Sequence, residues 1–311
     1  MRLYRQLSDF KGSSRGIALA IGNFDGFHQG HRAVIAAMKE KAQRLNLESA
    51  VMIFEPQPLE FFKRAVPPRL YSLRDKIRAF KAEGIDILFC MRFKEEFARL
   101  SPRQFVIDLL HERLNVKSVT VGSLFSFGEG GTAGLEELKA LAESVGMEAS
   151  AIHGVAVEGM RISSTMIRAL LEGGDLETVA VMLGRPYSIS GRVVRGNEIG
   201  RTIGFPTANV NLKRQVCPLR GVFAVRVETP YGTFDGMANV GERPTVGDLK
   251  GQTLLEVNLF GFNADLYGKS IEVRFVKKIR DEHKFPDLQA LMRQISHDRE
   301  VAQKVLKLSN V

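Results

Sequence analysis

An α/β half followed by a small antiparallel β-barrel with a terminal helix is the architecture this 311-residue sequence predicts. Three observations lead there. Apolar runs alternate with helical patterns as far as about residue 153, which is the signature of a parallel sheet covered by helices on both faces. Beyond Gly184-Arg185-Pro186, which breaks the chain, the helices stop and short strand-like runs with turn signals take over. After Pro286 one further helix is written by Leu288, Leu291, Met292 and Ile295 on a single face. The boundary is therefore set between 184 and 185.

The elements follow in order. Ile17 to Ile21 reads as a buried strand, 31–45 as a helix and 50–54 as a second strand. Prolines 56 and 58 predict an extended wall over 54–62. Then come helix 72–81, strand 85–91, helix 102–114, strand 118–121, helix 135–145 and a short strand over 149–153. Gly173-Gly174-Asp175 ends a helix opened at 161–168, and another runs to Leu183. The barrel strands are expected at 187–194, 207–210, 221–227, 232–240, 254–260 and 270–276.

Composition narrows the class. A hydrophobic content of 44% supports ordinary cores. No apolar run reaches the ~20 residues of a membrane-spanning helix. The first residues lack a signal-peptide core, which places the protein in the cytoplasm. Two distant cysteines, Cys90 and Cys217, offer no disulfide framework. The formal charge of +9 is dispersed over both halves, so polyanionic small molecules account for it as well as RNA does. An RNA-binding barrel is the alternative from another class, and the absence of a recognisable RNA motif speaks against it.

The first half is organised around Gly22-Asn23-Phe24-Asp25-Gly26-Phe27-His28-Gln29-Gly30-His31. A strand delivers this glycine-punctuated turn and the turn opens a helix, whose unpaired N–H groups and positive dipole end suit a phosphate. His28 and His31, three apart at that entry, reach the same anion. A zinc site lacks its third and fourth ligands. The segment resembles the His-x-Gly-His signature of nucleotidyltransferases and, more narrowly, bacterial bifunctional riboflavin kinase/FAD synthetases. That resemblance implies a Rossmann-like nucleotidyltransferase domain in which Gly22, Asn23, Phe24 and Gly30 bind ATP and His28 and His31 are catalytic.

Ile162-Ser163-Ser164-Thr165-Met166-Ile167-Arg168 reads on its own as a helix N-terminus with a nearby cation. It matches the family's second phosphate-gripping motif, which assigns that task to Ser164, Thr165 and Arg168. After the strand ending at Val121, the loop Gly122-Ser123-Leu124-Phe125-Ser126-Phe127 offers Phe125 and Phe127 as ring surfaces for a flavin. Leu124 and Ser126 depart from the polar residue and arginine usual there. The alternative within the family is therefore a riboflavin kinase with weak or lost adenylyltransferase activity.

In the barrel half, Gly200-Arg201-Thr202-Ile203-Gly204-Phe205-Pro206-Thr207-Ala208-Asn209 resembles the riboflavin kinase fingerprint. By that resemblance Gly200, Arg201, Gly204 and Pro206 bind ATP, and Arg243 binds flavin. Thr207 and Asn209, alternate residues of a predicted strand, offer hard oxygen ligands for Mg²⁺. Glu256 is implied as the general base. Arg195 and Asn258 stand where histidine is common. The expected partners are riboflavin, FMN and ATP, with FMN and FAD as products, no nucleic acid or membrane, and a monomer or weak oligomer.

Overall fold

A computed structural model describes residues 1–62, 66–157, 159–196, 200, 204–212, 216–242 and 253–309. By packing, these divide into two compact units, one of residues 1–67 and 73–163 and one of 68–72 and 164–311.

Ile17 to Ile21 is apolar at every position because it forms a strand buried on both faces. In the first unit β1 (Arg2–Tyr4), β2 (Ile17–Ile21), β3 (Glu48–Phe54), β4 (Ile87–Met91), β5 (Val116–Gly122) and β6 (Glu148–Ile152) form a parallel sheet in the order β1-β4-β3-β2-β5-β6. Leu19 at its centre is in register with Ala50 on one side and Val119 on the other. The chain steps outward from β2 through β3 to β4 and then crosses to lay β5 on the opposite flank of β2. The carboxyl ends of β2 and β5 thus border the crevice in which such sheets bind ligands. Helices α1 (Gln29–Arg44), α2 (Pro58–Phe61), α3 (Leu73–Ala82), α4 (Glu95–Ala98) and α5 (Leu135–Glu143) accompany the sheet, and a two-residue-stranded hairpin, β7 (Ala156–Val157) with β8 (Met160–Arg161), follows it.

Two expectations change here, and one strand that the sequence did not signal is added. The wall over 54–62 is not wholly extended, since Pro58 opens α2, where its missing N–H is no loss, and Gln57 and Glu60 form a capping box. The helix expected over 102–114 is a π-helix, Gln104–Arg113, in which wide i to i+5 bonds such as Leu114 N–H to Leu109 C=O (3.0 Å) replace the α register. It nonetheless buries Phe105, Val106 and Leu110, as the apolar pattern requires. Strand β1, three residues with two side chains exposed, is too short and too polar to show periodicity.

In the second unit α6 (Ser164–Gly173) and α7 (Leu176–Leu183) precede the barrel. Asp175 caps α7 by accepting from the Thr178 N–H (3.0 Å), and Gly184, left-handed at φ 69°, terminates it. Strands β9 (Ser188–Val194), β10 (Ala208–Asn211), β11 (Gly221–Thr229), β12 (Gly232–Glu242), β13 (Thr253–Leu259) and β14 (Ser270–Arg280) close an antiparallel barrel in the order β10-β13-β12-β11-β14-β9. Phe223, Val225, Val240, Leu255, Val257, Val273 and Phe275 are buried in it. The terminal helix α8 (Leu288–Leu308) packs Ala302 and Leu306 with Ala224 and Met237, against the barrel wall.

Candidate active sites

At the carboxyl end of β2 the chain turns through Phe24 (φ 47°), Gly26 (φ 81°) and Phe27 (φ 45°) before α1 begins. Left-handed backbone is costly for phenylalanine. Packing holds both rings there: Phe24 and Phe27 are buried and each meets Phe80 of α3 edge-on with centroids 5.5 Å apart. The turn is thereby a rigid mount for the residues that follow.

His28 caps α1, its Nδ1 accepting from the main-chain N–H of His31 (3.3 Å). A nitrogen that accepts carries no proton, so Nε2 is the protonated nitrogen and the imidazole presents a donor. The His31 ring stacks on it, with centroids 3.6 Å apart and planes at 15°. Burial, reinforced by His28 and by Lys76, holds His31 well below the ordinary histidine range. Its Nδ1 is enclosed without a hydrogen-bond partner among the described residues. Gly30 suits the same geometry, since a Cβ there would lie 3.1 Å from the His28 ring and would push it. Gly22 follows the carboxyl end of the central strand β2, its N–H bonded to Met52 C=O (3.2 Å), while Asn23 is exposed. Two stacked imidazoles at a helix N-terminus, over a fully buried lysine, form a compact anion-binding group.

Lys76, 1% exposed, carries little signal in the sequence. It stands four residues before Phe80 and hence on the same helical face, which the structure turns toward the histidine turn.

The neighbouring loop from β5 presents Leu124, 80% exposed, and Ser126, also exposed. Phe125 is half-buried and stacks on Phe127, whose ring belongs to the hydrophobic core beside Phe105. Phe127 is thus an anchor for the loop rather than a ring surface open to a ligand. In the other unit Ser164 opens α6, Thr165 is exposed in its first turn, and Arg168 Nε donates to Pro68 C=O (2.6 Å).

The barrel carries the second site on its outer face. Asn209, Glu256 and Asn239 are direct cross-strand neighbours on β10, β13 and β12, an amide, a carboxylate and an amide in one row. Thr207 precedes β10 rather than lying in it, because the strand begins at Ala208, and it lines two cavities at once. One, of about 630 Å³, is bordered by Arg195, Pro206, Phe262 and Tyr267. The other, of about 350 Å³, is bordered by Glu256, Asn239, Asn258, Glu282 and Phe285. Arg195 lies over the Tyr267 ring at 5.6 Å. Glycines make the close approaches possible: a Cβ on Gly196 would lie 2.3 Å from Asn209 Nδ2, and one on Gly200 would lie 2.4 Å from Phe205 O. Gly204 takes φ 83°. Arg201 and Arg243 lie outside the described residues. Thr207 and Asn209 supply the hard oxygen donors that Mg²⁺ prefers, next to a carboxylate, so the donor set fits that ion. Glu282, by contrast, lacks any motif that singles it out, and only the fold brings it to the cavity that Asn239 lines.

A parallel α/β unit with stacked histidines at its switch point, and a barrel with a carboxylate on the wall of one of two adjoining cavities, are the architecture of a two-domain transferase. The family model described as FAD synthetase matches residues 11–166, and that described as riboflavin kinase matches 183–306. The bifunctional riboflavin kinase/FMN adenylyltransferase of Escherichia coli (strain K12) is 42% identical over 315 residues, covering 99% of each chain. That of Haemophilus influenzae is 42% identical over 304 residues, covering 97% of this chain and 98% of its own. The chain belongs to the bifunctional riboflavin kinase/FMN adenylyltransferase family. A crystal structure described as a macrolide-efflux protein from Streptococcus pneumoniae shares the fold at TM-score 0.81 and 30% identity, covering 97% of this chain and 98% of that one. Among the described residues no helix is long and apolar enough to cross a membrane.

Proposed function

We propose that this protein makes both flavin cofactors, the barrel phosphorylating riboflavin to FMN and the α/β half adenylylating FMN to FAD. ATP is co-substrate in each step, and FMN and FAD are the products. The observation that carries the assignment is Thr207 at the junction of two cavities, with Glu256 on the wall of one of them. Phosphoryl transfer asks little of a protein beyond placed phosphates, charge neutralisation and an acceptor for the hydroxyl proton. The larger cavity, with Arg195 and Tyr267, suits ATP, and the smaller, beside Glu256, suits riboflavin. Glu256 takes the proton of the 5′-hydroxyl as that oxygen attacks the γ-phosphorus. Thr207 and Asn209 hold Mg²⁺, which supplies positive charge to the transferring phosphates.

In the other half the FMN phosphate attacks the α-phosphorus of a second ATP and pyrophosphate leaves. His28 and His31 donate to the charge that builds there. We assign 1–184 to the adenylyltransferase and 185–311 to the kinase, following the helix stop at Gly184, whereas packing groups 164–184 with the barrel. The family match over 11–166 speaks against a kinase-only reading. The protein acts in the cytoplasm as a monomer or weak oligomer. Incubation with riboflavin, ATP and Mg²⁺, followed by chromatography, is expected to yield FMN and then FAD, and chelation of the metal to stop FMN formation. Absence of FMN would overturn the assignment.

A further inference from the structure

The smaller cavity of the barrel is walled by more acceptor than the removal of one proton requires. Asn258 is 5% exposed and sits two positions beyond Glu256 on β13, hence on the same face of the strand. Its Nδ2 donates to Pro206 C=O at 2.7 Å. A carbonyl oxygen only accepts, so the amide cannot be turned over, and Oδ1 is left on the opposite edge. That oxygen is buried and has no hydrogen-bond partner among the described residues, while Asn258 itself lines the cavity.

Asn239 repeats the arrangement one strand away. Its Nδ2 donates to Glu282 Oε1 at 3.0 Å, and its Oδ1 is likewise buried without a partner among the described residues. Since Asn239 is in register with Glu256, the strand side of the cavity carries a series of acceptors, amide, carboxylate, amide, with Arg280 and His283 elsewhere in its lining. A buried acceptor without a donor is unfavourable, and such a series is complementary to a ligand that brings several donors along one edge. An anionic group brings none. A chain of hydroxyls brings one per carbon.

Resting on the riboflavin kinase reading, we propose that Asn258 is a specificity-determining residue whose Oδ1 accepts from a hydroxyl of riboflavin's ribityl chain. Its Nδ2 at the same time steadies the Pro206-Thr207 segment, and Asn239 receives a second hydroxyl. The substrate class is then a flavin with a polyhydroxylated side chain, selected over flavins with plain alkyl substituents.

The test combines side-chain variants with flavin analogues that each lack one side-chain hydroxyl. Binding is read by flavin fluorescence and transfer by FMN-type product formation. The wild-type protein is expected to bind one of these analogues about tenfold more weakly than riboflavin, the effect of one lost hydrogen bond. Asn258→Leu is expected to bind riboflavin about tenfold more weakly and no longer to distinguish that analogue. Asn258→His, with one donor and one acceptor nitrogen, retains the discrimination. If the leucine variant does not fold, Asn258→Ser, too short to reach either partner, carries the same comparison. A folded variant of either kind that still discriminates among all the analogues as wild type does overturns the proposal. A wild-type protein that binds riboflavin with this discrimination yet transfers no phosphate removes the kinase reading and leaves the role of Asn258 standing.

Discussion

His28 shows how a single residue can be both structural and chemical. As the cap of α1 it fixes the helix start, and capping in turn fixes its tautomer. His28→Ala is expected to lower FAD formation from FMN about a hundredfold, the usual effect of losing one transition-state donor, with FMN formation unchanged. The pH dependence follows from His31. Its folded pKa lies below the unfolded value near 6.5, so as pH falls below about 6.5 the unfolded chain takes up a proton that the folded one refuses. Stability therefore declines with falling pH by up to about 1.4 kcal/mol per unit, until the folded pKa is reached, and urea titrations between pH 7.5 and 5 measure it. Leu124 bears on the flavin side. An exposed aliphatic chain beside the switch point offers no hydrogen bond, so Leu124→Asn is expected to lower the KM for FMN more than it changes kcat. An unchanged KM with the loop intact places the flavin elsewhere. The histidine pair and its glycines were legible in the sequence because turn chemistry and spacing are local. Lys76 was not, because a lysine on an amphipathic helix reads as solvated until the packing of Phe80 shows which way its face is turned.

Among the elements, the strands were more legible than their limits. Every expected barrel strand exists because alternation of buried and exposed residues is intrinsic to a sheet with one face inward. The strand expected from 207 begins at Ala208, and Thr207 just before it lines both cavities. The π-helix and the turn of helix at Pro58 keep the apolar pattern that predicted burial, but hydrogen-bond register leaves no trace in that pattern. Helix α8 was foreseen from its apolar face, whereas its anchor is polar. Asp298, 2% exposed, accepts from Arg280 Nε at 3.0 and 2.9 Å, from Arg280 Nη2 at 2.8 Å and from Gln294 Nε2 at 2.8 Å. Asp298→Ala leaves the guanidinium with the Asp281 C=O and the Phe285 ring, and is expected to cost about 1–3 kcal/mol in urea unfolding of the barrel unit. Asp298 also borders the smaller cavity, so the KM for riboflavin rises alongside.

At the scale of the whole molecule, the proposal gives each activity its own constellation. The histidine turn and its rigid aromatic mount lie within the first unit, and the row Asn209, Glu256, Asn239 lies within the barrel. The histidine turn and the barrel row are each built within their own unit, so a substitution in one is expected to leave the other activity in place. Glu256→Gln keeps the side-chain volume and removes the proton acceptor, and His28→Ala keeps the barrel intact. Each variant alone is therefore expected to make no FAD, or about a hundredfold less of it, from riboflavin and ATP. Mixed, they are expected to make FAD through FMN released by the His28→Ala protein and taken up by the Glu256→Gln protein. FMN should accumulate first and FAD follow after a lag that shortens as enzyme concentration rises, because the intermediate crosses solution. Time courses resolved by chromatography check this. A mixture that produces FMN but no FAD, although the Glu256→Gln protein adenylylates added FMN at the wild-type rate, would mean that FMN formed on the barrel is not released to solution.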